Sequence, residues 1–203
     1  MRLLVATRSS GKQREARRIL EAAGHQVVFP DDAGLIERAE EEGLESGDSF
    51  ETNARRKAEY FARLSGLPTL ADDSGLEVLS LGGAPGVRSK RWAGATGSAS
   101  EIDAANNAEL LRRLRGAAEQ RRRARYRCVL VLVRWAGGIP EVFEGACSGR
   151  ILEAAEGTGG FGYDPYFWSD DLKKSFGQAT AEEKDSVSHR GRALALLVEK
   201  LKS

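Results

Sequence analysis

The first third of the chain alternates short apolar runs with helical patterns. Residues 2–6 form an apolar run that predicts a buried strand, and residues 26–29 predict a second one. Between them, apolar side chains recur at helical spacing until Gly24 ends the pattern. A longer helix is expected to begin after Asp48 or Ser49, and its apolar stripe consists of Ala54, Ala58, Phe61, Ala62 and Leu64. This succession of strands and helices is typical of an α/β protein.

A β-prone run at residues 69–71 leads into Asp72-Asp73-Ser74-Gly75, and residues 77–81 predict a further strand after this turn. Because side chains alternate along a strand, Asp72 and Asp73 are expected to point to opposite faces. One carboxylate can then face a ligand while the other braces the turn. A polar turn that only ends a strand is the competing interpretation, and these residues alone favour neither.

The second half of the chain continues the mixed pattern. Ser98 or Ser100 is expected to cap a helix, residues 128–133 and 142–151 are expected to form strands, and a terminal helix opens at residues 188–191. The wholly apolar run at 128–133 is far too short to span a bilayer.

Length and charge exclude several classes of protein. The 203 residues allow one domain or two tightly fused lobes, and the net charge of +1 provides no overall field for nucleic acid or an anionic membrane. Residues 121–127 hold five arginines, but since they run directly into a strand, a solvated loop and strand entry is favoured over a nucleic-acid patch. We therefore expect neither nucleic acid nor membrane as a partner.

Cysteine usage and the N-terminus indicate a cytoplasmic location. Cys128 and Cys147 lie in apolar context without C-x-x-C spacing, so two buried thiols are expected rather than a disulfide or a metal site. Residues 3–6 are too short an apolar core for a secretion signal.

A hydroxyl-rich turn joins the first strand to the first helix, and its residues are Thr7, Arg8, Ser9, Ser10, Gly11 and Lys12. The free N–H groups and the positive dipole end of a helix N-terminus bind anions. The turn is not a Walker A loop, because Ala6 and Gln13 stand where that motif needs Gly and Ser or Thr. Taken alone, the turn favours the other interpretation, an ordinary helix capped by Ser9 or Ser10.

Acidic residues 31–48 are expected to lie mostly in a solvated loop. A single carboxylate of this segment, turned inward, could help Asp73 hold a divalent cation. On the helix that follows, Asn53 and Lys57 are four residues apart and share one face.

Two later segments suggest a ligand with a flat ring. Four glycines surround Phe161 and Tyr163 within residues 157–165, and glycine lets the backbone approach a purine closely. His189 and Arg190 occupy the first turn of the terminal helix, where cations are unfavourable unless an anion or a carbonyl-rich ligand is present.

Six blocks of the sequence stand in the same order as in a known enzyme family. They are Ala6-Thr7…Gly11-Lys12, Phe50-x-x-Asn53-Ala54-x-x-Lys57-Ala58, Ala71-Asp72-Asp73-Ser74-Gly75-Leu76, Gly82-Gly83-Ala84-Pro85-Gly86-Val87, Gly159-Gly160-Phe161-Gly162-Tyr163-Asp164-Pro165 and Ser188-His189-Arg190-Gly191. Over nearly its whole length the chain resembles the inosine triphosphate pyrophosphatase family, also called the Ham1-like family. The resemblance implies a single nucleotide pyrophosphatase domain over residues 1–203, with an elongated mixed β-sheet flanked by helices and the active-site cleft between two lobes.

The resemblance also implies a reaction and the residues that perform it. The reaction is Mg²⁺-dependent hydrolysis of ITP, dITP or XTP to the monophosphate and pyrophosphate, by a homodimer. It implies Asp73 as the catalytic carboxylate, with Lys57 beside it. Asp73 would act as base toward water, as metal ligand or as both, and the sequence does not separate these roles. As ligands of Mg²⁺ the resemblance implies Asp73 and Glu45. The implied substrate-binding residues are Thr7, Arg8, Ser9, Ser10, Gly11, Lys12 and Ser74 for the triphosphate, and Phe161, Gly162, Tyr163, Asp164, Lys184, His189 and Arg190 for base and sugar.

Two departures from the family pattern leave alternatives open. Ser9 stands where the family usually has Asn, so a hydroxyl with one donor replaces an amide with two. The metal-binding Glu matches Glu45 best, with Glu41 or Glu42 as alternatives. A pyrophosphatase of other modified nucleotides and a nucleotide-binding module without turnover are the competing functions.

Overall fold

The computed structural model describes residues 1–202, and within them seven strands form one mixed sheet in the order β2-β1-β3-β4-β5-β6-β7. The strands are β1 (Arg2–Val5), β2 (Gln26–Val28), β3 (Thr69–Val78), β4 (Arg123–Val133), β5 (Glu141–Ile151), β6 (Phe167–Ser169) and β7 (Lys174–Ser175). β1 pairs in parallel with β2 and β3, whereas β6 pairs antiparallel with β5 and β7. The predicted α/β class with a mixed sheet is confirmed.

Helices fill the connections between these strands. The α-helices are α1 (Ser10–Ala22), α2 (Phe50–Ser65), α3 (Ala99–Arg113), α4 (Ala181–Val187) and α5 (His189–Lys202). Short 3₁₀ helices cover Ala39–Glu45, Leu79–Leu81, Gly86–Arg91, Glu119–Arg122 and Asp164–Tyr166. No helix within residues 1–202 is long and apolar enough to cross a membrane.

The chain divides into two compact units, each with its own apolar core. The first unit comprises residues 1–73, 128–145 and 190–202, and the second comprises residues 74–127 and 146–189. Buried side chains of the first core include Leu3, Val5, Leu20, Leu70, Leu130, Leu132, Leu194 and Leu197. Those of the second include Leu76, Val78, Leu110, Leu114, Tyr126, Ile151, Phe167 and Phe176. The placement of the active-site cleft between two lobes stays a prediction.

The predicted turn at Asp72-Asp73-Ser74-Gly75 is wrong, because β3 is one continuous strand of ten residues. The two carboxylates therefore lie within the strand rather than at its end. Extended backbone beyond Gly75 brings Leu76 and Val78 into the second core, where both are fully buried. This burial outweighs the local turn preference of Ser and Gly. The expected strand at residues 77–81 ends at Val78 and continues as a 3₁₀ turn.

The arginine-rich segment is also more ordered than a solvated loop. β4 begins at Arg123, so Ala124 and Tyr126 are buried while the intervening arginines face carboxylates in the second unit. Arg122 is buried and its Nη2 donates to the carbonyl of Leu114, the C-cap of α3. The predicted entry into a strand is thus confirmed, whereas the solvated loop before it is wrong.

Local start and stop signals were predicted correctly elsewhere. Ser49 caps α2 by accepting a hydrogen bond from the Thr52 N–H, and Ser98 caps α3 in a capping box with Glu101. Both Cys128 and Cys147 are buried free thiols, as expected.

Candidate active site

The turn before α1 is built differently from an ordinary capped helix. Ser9 is the N-cap of α1, but its side chain makes no capping hydrogen bond. Its N–H instead donates to Thr7 Oγ1 at 3.2 Å, and Gln13 Nε2 donates to the Thr7 carbonyl at 3.0 Å. Gly11 is buried and Ser10 is exposed. The hydroxyl-capped alternative is therefore not what the structure shows, and the helix N-terminus keeps the layout of an anion site.

Arg8 points toward the acidic segment rather than along the turn. Its Nε and Nη2 donate to the two oxygens of Glu41 at 2.8 and 2.9 Å, and Nη2 also donates to the Leu35 carbonyl at 3.1 Å. Nη1 forms an ion pair with Asp31. These contacts occupy the guanidinium in bracing residues 31–41, whereas the sequence suggested that it binds phosphate.

Asp72 and Asp73 are both buried in β3 and have different side-chain partners. Asp72 Oδ2 lies 3.0 Å from Lys12 Nζ and 3.1 Å from Arg190 Nη2. Asp73 Oδ2 accepts a hydrogen bond of 2.8 Å from Asn53 Nδ2. The separate partners agree with the alternation of side chains along a strand. Ser74, half-buried, follows them in the same strand.

Lys57 joins the helix α2 to both the acidic segment and β3. Its Nζ donates to Glu45 Oε1 at 2.5 Å and to the backbone carbonyl of Asp72. Asn53 lies one helical turn earlier on the same face, as the spacing predicted, and its amide contacts Asp73. Lys12, Glu45, Lys57, Asp72 and Asp73 are called the carboxylate–lysine cluster below.

Electrostatics separate the three carboxylates of this cluster. Burial raises the pKa of Asp73, and the nearby negative charge of Glu45 raises it further. Lys57 and Lys12 lower this pKa, but they do not cancel the increase. Burial also opposes ionisation of Glu45, but Lys57 and Lys12 outweigh it and lower its pKa to about 2. The pKa of Asp72 is held far below its usual range, since Lys12, Arg190 and Lys57 together outweigh its burial. Asp73 is thus the most basic of the three.

The cluster also offers oxygen donors of the kind that bind Mg²⁺. Magnesium is usually held by one or two carboxylates together with substrate phosphates, rather than by a cage of protein ligands. Within residues 1–202 no group of three or more His, Cys, Asp or Glu side chains could hold a metal. The pKa values of Asp73 and Glu45 are both lowered by the charges of Lys57 and Lys12, and both side chains carry the carboxylate oxygens that Mg²⁺ prefers. Glu41 binds Arg8 and Glu42 is exposed, which leaves Glu45 as the glutamate in the cluster.

The second unit contains a compact loop around Phe161. Asp164 Oδ2 accepts hydrogen bonds from the Phe161 N–H at 2.9 Å and from Lys184 Nζ at 2.5 Å. The same ammonium lies 4.8 Å from the centroid of the Phe161 ring. One face of the ring is therefore covered by a cation. A Cβ atom at Gly160 would come within 2.1 Å of Asp164 Oδ2, so only glycine fits at that position.

Tyr163 and His189 are packed inside the second unit. The Tyr163 hydroxyl donates to the Ser89 carbonyl at 2.9 Å, and its side chain is buried. The His189 ring stacks on Tyr126 with centroids 4.6 Å apart and planes 8° from parallel. Both residues were expected to bind base or sugar, and these contacts give each of them a structural role as well.

Arg190 is buried in the first unit between two carboxylates. Its Nε and Nη2 donate to Asp72 Oδ2 at 3.3 and 3.1 Å, and its Nη1 donates to Glu15. The sequence suggested an anionic or carbonyl-rich ligand for the cations at this helix start, and it missed Glu15 and Asp72, the partners of Arg190 in the structure. Asn53 was missed as a site residue too, although its spacing to Lys57 was the available signal.

Comparisons with known proteins place the chain in a family. Residues 3–200 match the model of the Ham1 family. A protein of Anaeromyxobacter sp. named dITP/XTP pyrophosphatase is 42% identical over 99% of this chain and 98% of its own length. Another of that name, from Syntrophobacter fumaroxidans, is 47% identical over 95% of this chain and 78% of its own.

Solved structures show the same fold. A HAM1 protein from Coxiella burnetii superposes with a TM-score of 0.84 at 32% identity, covering 100% of this chain and 98% of that one. A Mycobacterium abscessus nucleoside-triphosphatase, also titled dITP/XTP pyrophosphatase, gives 0.72 at 42% identity, covering 97% of this chain and 98% of that one.

Proposed function

The chain belongs to the Ham1 family, and from this membership we propose that it hydrolyses ITP, dITP and XTP to the monophosphate and pyrophosphate. The observation that carries the proposal is full-length similarity to enzymes named dITP/XTP pyrophosphatase, 42% identical in the case of the Anaeromyxobacter protein. The carboxylate–lysine cluster supplies the groups that such a reaction needs. The enzyme thereby removes non-canonical purine nucleotides from the nucleotide pool.

In this reaction water attacks the α-phosphorus, the bond between the α-phosphorus and the bridging oxygen breaks, and pyrophosphate leaves. Phosphoryl transfer of this kind depends on positioning and on neutralising the phosphate oxygens. Lys12, Lys57 and the N–H groups that open α1 provide positive charge for the triphosphate, with Thr7, Ser9 and Ser74 as hydroxyl donors. Asp73, whose pKa is raised by burial, is the cluster carboxylate best suited to accept the proton of the water.

Asp73 and Glu45 would hold Mg²⁺ together with phosphate oxygens of the substrate. When bound, the ion supplies further positive charge to the phosphate oxygens. Glu45 also forms a 2.5 Å ion pair with Lys57. Pyrophosphate release titrated with Mg²⁺ tests this assignment, and we expect Glu45→Gln to raise the concentration needed for half-maximal activity.

Base recognition belongs to the loop around Phe161. The Phe161 ring offers a purine the face opposite Lys184, whose ammonium covers the other side. Hypoxanthine and xanthine differ from adenine by a keto oxygen where adenine has an amino donor. A donor aimed at that oxygen, from His189 in our prediction, would be left unpaired against adenine, and an unpaired donor gives strong rejection.

The test is to incubate the purified chain with ITP, dITP, XTP, ATP and GTP and to identify the products. We expect inosine or xanthosine monophosphate and pyrophosphate, with slow turnover of ATP and GTP. Diphosphate and inorganic phosphate as products would contradict the assigned bond. If calorimetry shows that ITP binds but no pyrophosphate is released, the chain is a nucleotide-binding module without turnover. The replacement of the family's Asn by Ser9 is what raises this alternative. Turnover of other modified nucleotides in preference to ITP would support the alternative pyrophosphatase.

We further propose that the protein works as a cytoplasmic homodimer without nucleic acid or membrane partners. The two buried free thiols fit a reducing compartment. Arg123 pairs with Asp170 and Arg125 with Glu77, so the arginine-rich segment is already neutralised by protein carboxylates. Light scattering coupled to size-exclusion chromatography measures the oligomeric state directly.

A further inference from the structure

The helix α3 holds the backbone of the Phe161 loop from two sides. The Gly162 N–H donates to Asp103 Oδ2 at 2.8 Å, and the Gly162 carbonyl accepts from Asn107 Nδ2 at 2.9 Å. Asp103 and Asn107 are four residues apart and therefore lie on one face of α3. Both polar groups of a single loop residue are thus bound by one rigid helix.

Gly162 has a backbone conformation that favours glycine. Its φ of +63° lies in the left-handed region, and an added Cβ would meet nothing within 4 Å. Its glycine is needed for backbone conformation and not for space. Since Gly162 links Phe161 to Tyr163, a change in its dihedral angles would turn the Phe161 ring. The hydrogen bonds from α3 oppose that change.

A contribution to the stability of the fold does not explain why a buried position of α3 carries the amide of Asn107. The side chain is about nine-tenths buried, and within residues 1–202 nothing hydrogen-bonds to its Oδ1. A buried amide oxygen without a partner destabilises the fold. An apolar side chain of similar size would avoid this loss, but it could not donate to Gly162. The contact that Asn107 does make points to a role in the shape of the loop.

We propose that Asp103 and Asn107 are positioning residues for base recognition, acting through Gly162 to hold Phe161 in the orientation that stacks on a purine. The inference rests on the proposed function, because the base-binding role of Phe161 is part of it. Neither side chain touches the substrate in this account. Their effect is on binding of the base and not on the hydrolytic step.

The experiment compares Asp103→Leu and Asn107→Leu with the unmodified chain. In each variant we expect KM for ITP to rise about tenfold, the size of one lost hydrogen bond, with kcat retained. Inhibition by inorganic tripolyphosphate, which has no base, is expected to be unchanged. Asp103→Asn keeps an acceptor oxygen for the Gly162 N–H and is expected to restore KM. Asn107→Leu also removes the unbonded oxygen, so its thermal unfolding temperature is expected to stay close to that of the unmodified chain.

A matched control lies next to Asn107 on the same helix. Asn106 Nδ2 donates to the carbonyls of Ser89 and Lys90, at 3.2 and 3.0 Å, and not to the Phe161 loop. Asn106→Ala removes a buried amide from α3 while Tyr163 keeps its hydrogen bond to Ser89. We expect it to lower the unfolding temperature and leave KM for ITP unchanged. A rise in KM equal to that of Asn107→Leu would show a merely structural effect and overturn the proposal.

Hydrogen–deuterium exchange separates this inference from the proposed function, since it needs no activity. The peptide spanning residues 159–165 is expected to exchange faster in Asp103→Leu and Asn107→Leu, but not in Asn106→Ala. Faster exchange with an unchanged KM would overturn the base-positioning role while the pyrophosphatase assignment stands. Unchanged exchange in both leucine variants would overturn it as well. Failure of the unmodified chain to release pyrophosphate would instead refute the proposed function.

Discussion

Asn53 Nδ2 donates a hydrogen bond of 2.8 Å to Asp73 Oδ2, and both side chains are buried. The other end of the amide is also engaged, because Asn53 Oδ1 accepts from the Gly47 N–H at 2.8 Å. Gly47 follows closely after Glu45 in the chain, and a Cβ there would lie 2.7 Å from Asn53 Oδ1. One amide therefore orients the candidate catalytic carboxylate and ties it to the segment that carries Glu45.

Replacing Asn53 should reduce turnover without removing any charge. In Asn53→Ala, Asp73 loses a donor that favours its ionised, oriented form, and we expect kcat to fall about tenfold to a hundredfold. The unfolding free energy should fall by about 1–3 kcal/mol, because the Gly47 N–H loses its partner too. Steady-state kinetics and urea unfolding measure both effects. Arg55→Ala, which removes a half-buried side chain of α2 that pairs with Glu51, is the control, and equal effects in the two variants would contradict the orienting role.

Asp73→Asn should reduce the activity of the enzyme without reducing the stability of its fold. We expect kcat to fall by a factor of about a hundred or more, since Asn cannot accept the proton of the water. Burial raises the folded-state pKa of Asp73 above its unfolded value, so ionising it as pH rises costs stability. The neutral variant should therefore unfold at pH 8 at a temperature no lower than that of the unmodified chain. Near-normal kcat in a folded variant would refute the assignment of Asp73.

The two carboxylates that we propose as ligands of Mg²⁺ should titrate in different pH ranges. The direction in which each pKa departs from its usual value decides the pH profile. The acid limb of kcat/KM should report Asp73 and lie above the usual range of an aspartate, since burial raises its pKa. Glu45 has a pKa lowered to about 2, so its stabilising pair with Lys57 is present at neutral pH and is lost only as pH falls toward that value. Glu45→Gln removes a negative charge that raises the pKa of Asp73, so the acid limb should move to lower pH. An acid limb that stays in place would contradict the assignment of the limb to Asp73.

Arg8 should matter for metal binding more than for substrate affinity. Its bonds to Glu41 and Leu35 brace the segment that ends in the 3₁₀ helix Ala39–Glu45. In Arg8→Ala we expect the Mg²⁺ concentration for half-maximal activity to rise several-fold, because Glu45 is less well placed. KM for ITP at saturating Mg²⁺ should change less. A larger change in KM for ITP than in the Mg²⁺ concentration for half-maximal activity would show that Arg8 binds phosphate, as its position in the sequence suggested.

Arg190 should be the most sensitive position for folding. Arg190→Ala leaves Glu15 and Asp72 buried without this cation, and removing one partner of a buried ion pair costs about 3–5 kcal/mol. Arg190→Lys keeps the charge but not the fork geometry, so a smaller loss is expected. Thermal unfolding measures both. The prediction from the sequence that Arg190 reads the base is tested in Arg190→Lys, where it requires the ratio of ITP to ATP turnover to narrow.

Most of the secondary structure could be predicted from regular local patterns of apolar and polar side chains. The helix caps Ser49 and Ser98 and the strand β1 follow from side-chain periods and from hydrogen bonds within a few residues. Where a turn signal and a buried strand competed, at Ser74 and Gly75, the local rule failed because the apolar residues beyond them belong to a core that no short window can show.

The sequence by itself determined which residue types are available to the site and, through helical spacing, that Asn53 and Lys57 share a face. Only the tertiary structure decided their partners. It placed Arg190 on Glu15, 175 positions away in the chain, and gave Gly162 to Asp103 and Asn107 on a helix more than fifty residues earlier. The physical reason is that a buried charge or amide takes whichever partner the packed core brings within about 3 Å, and that distance is set by the whole fold and not by neighbours in sequence.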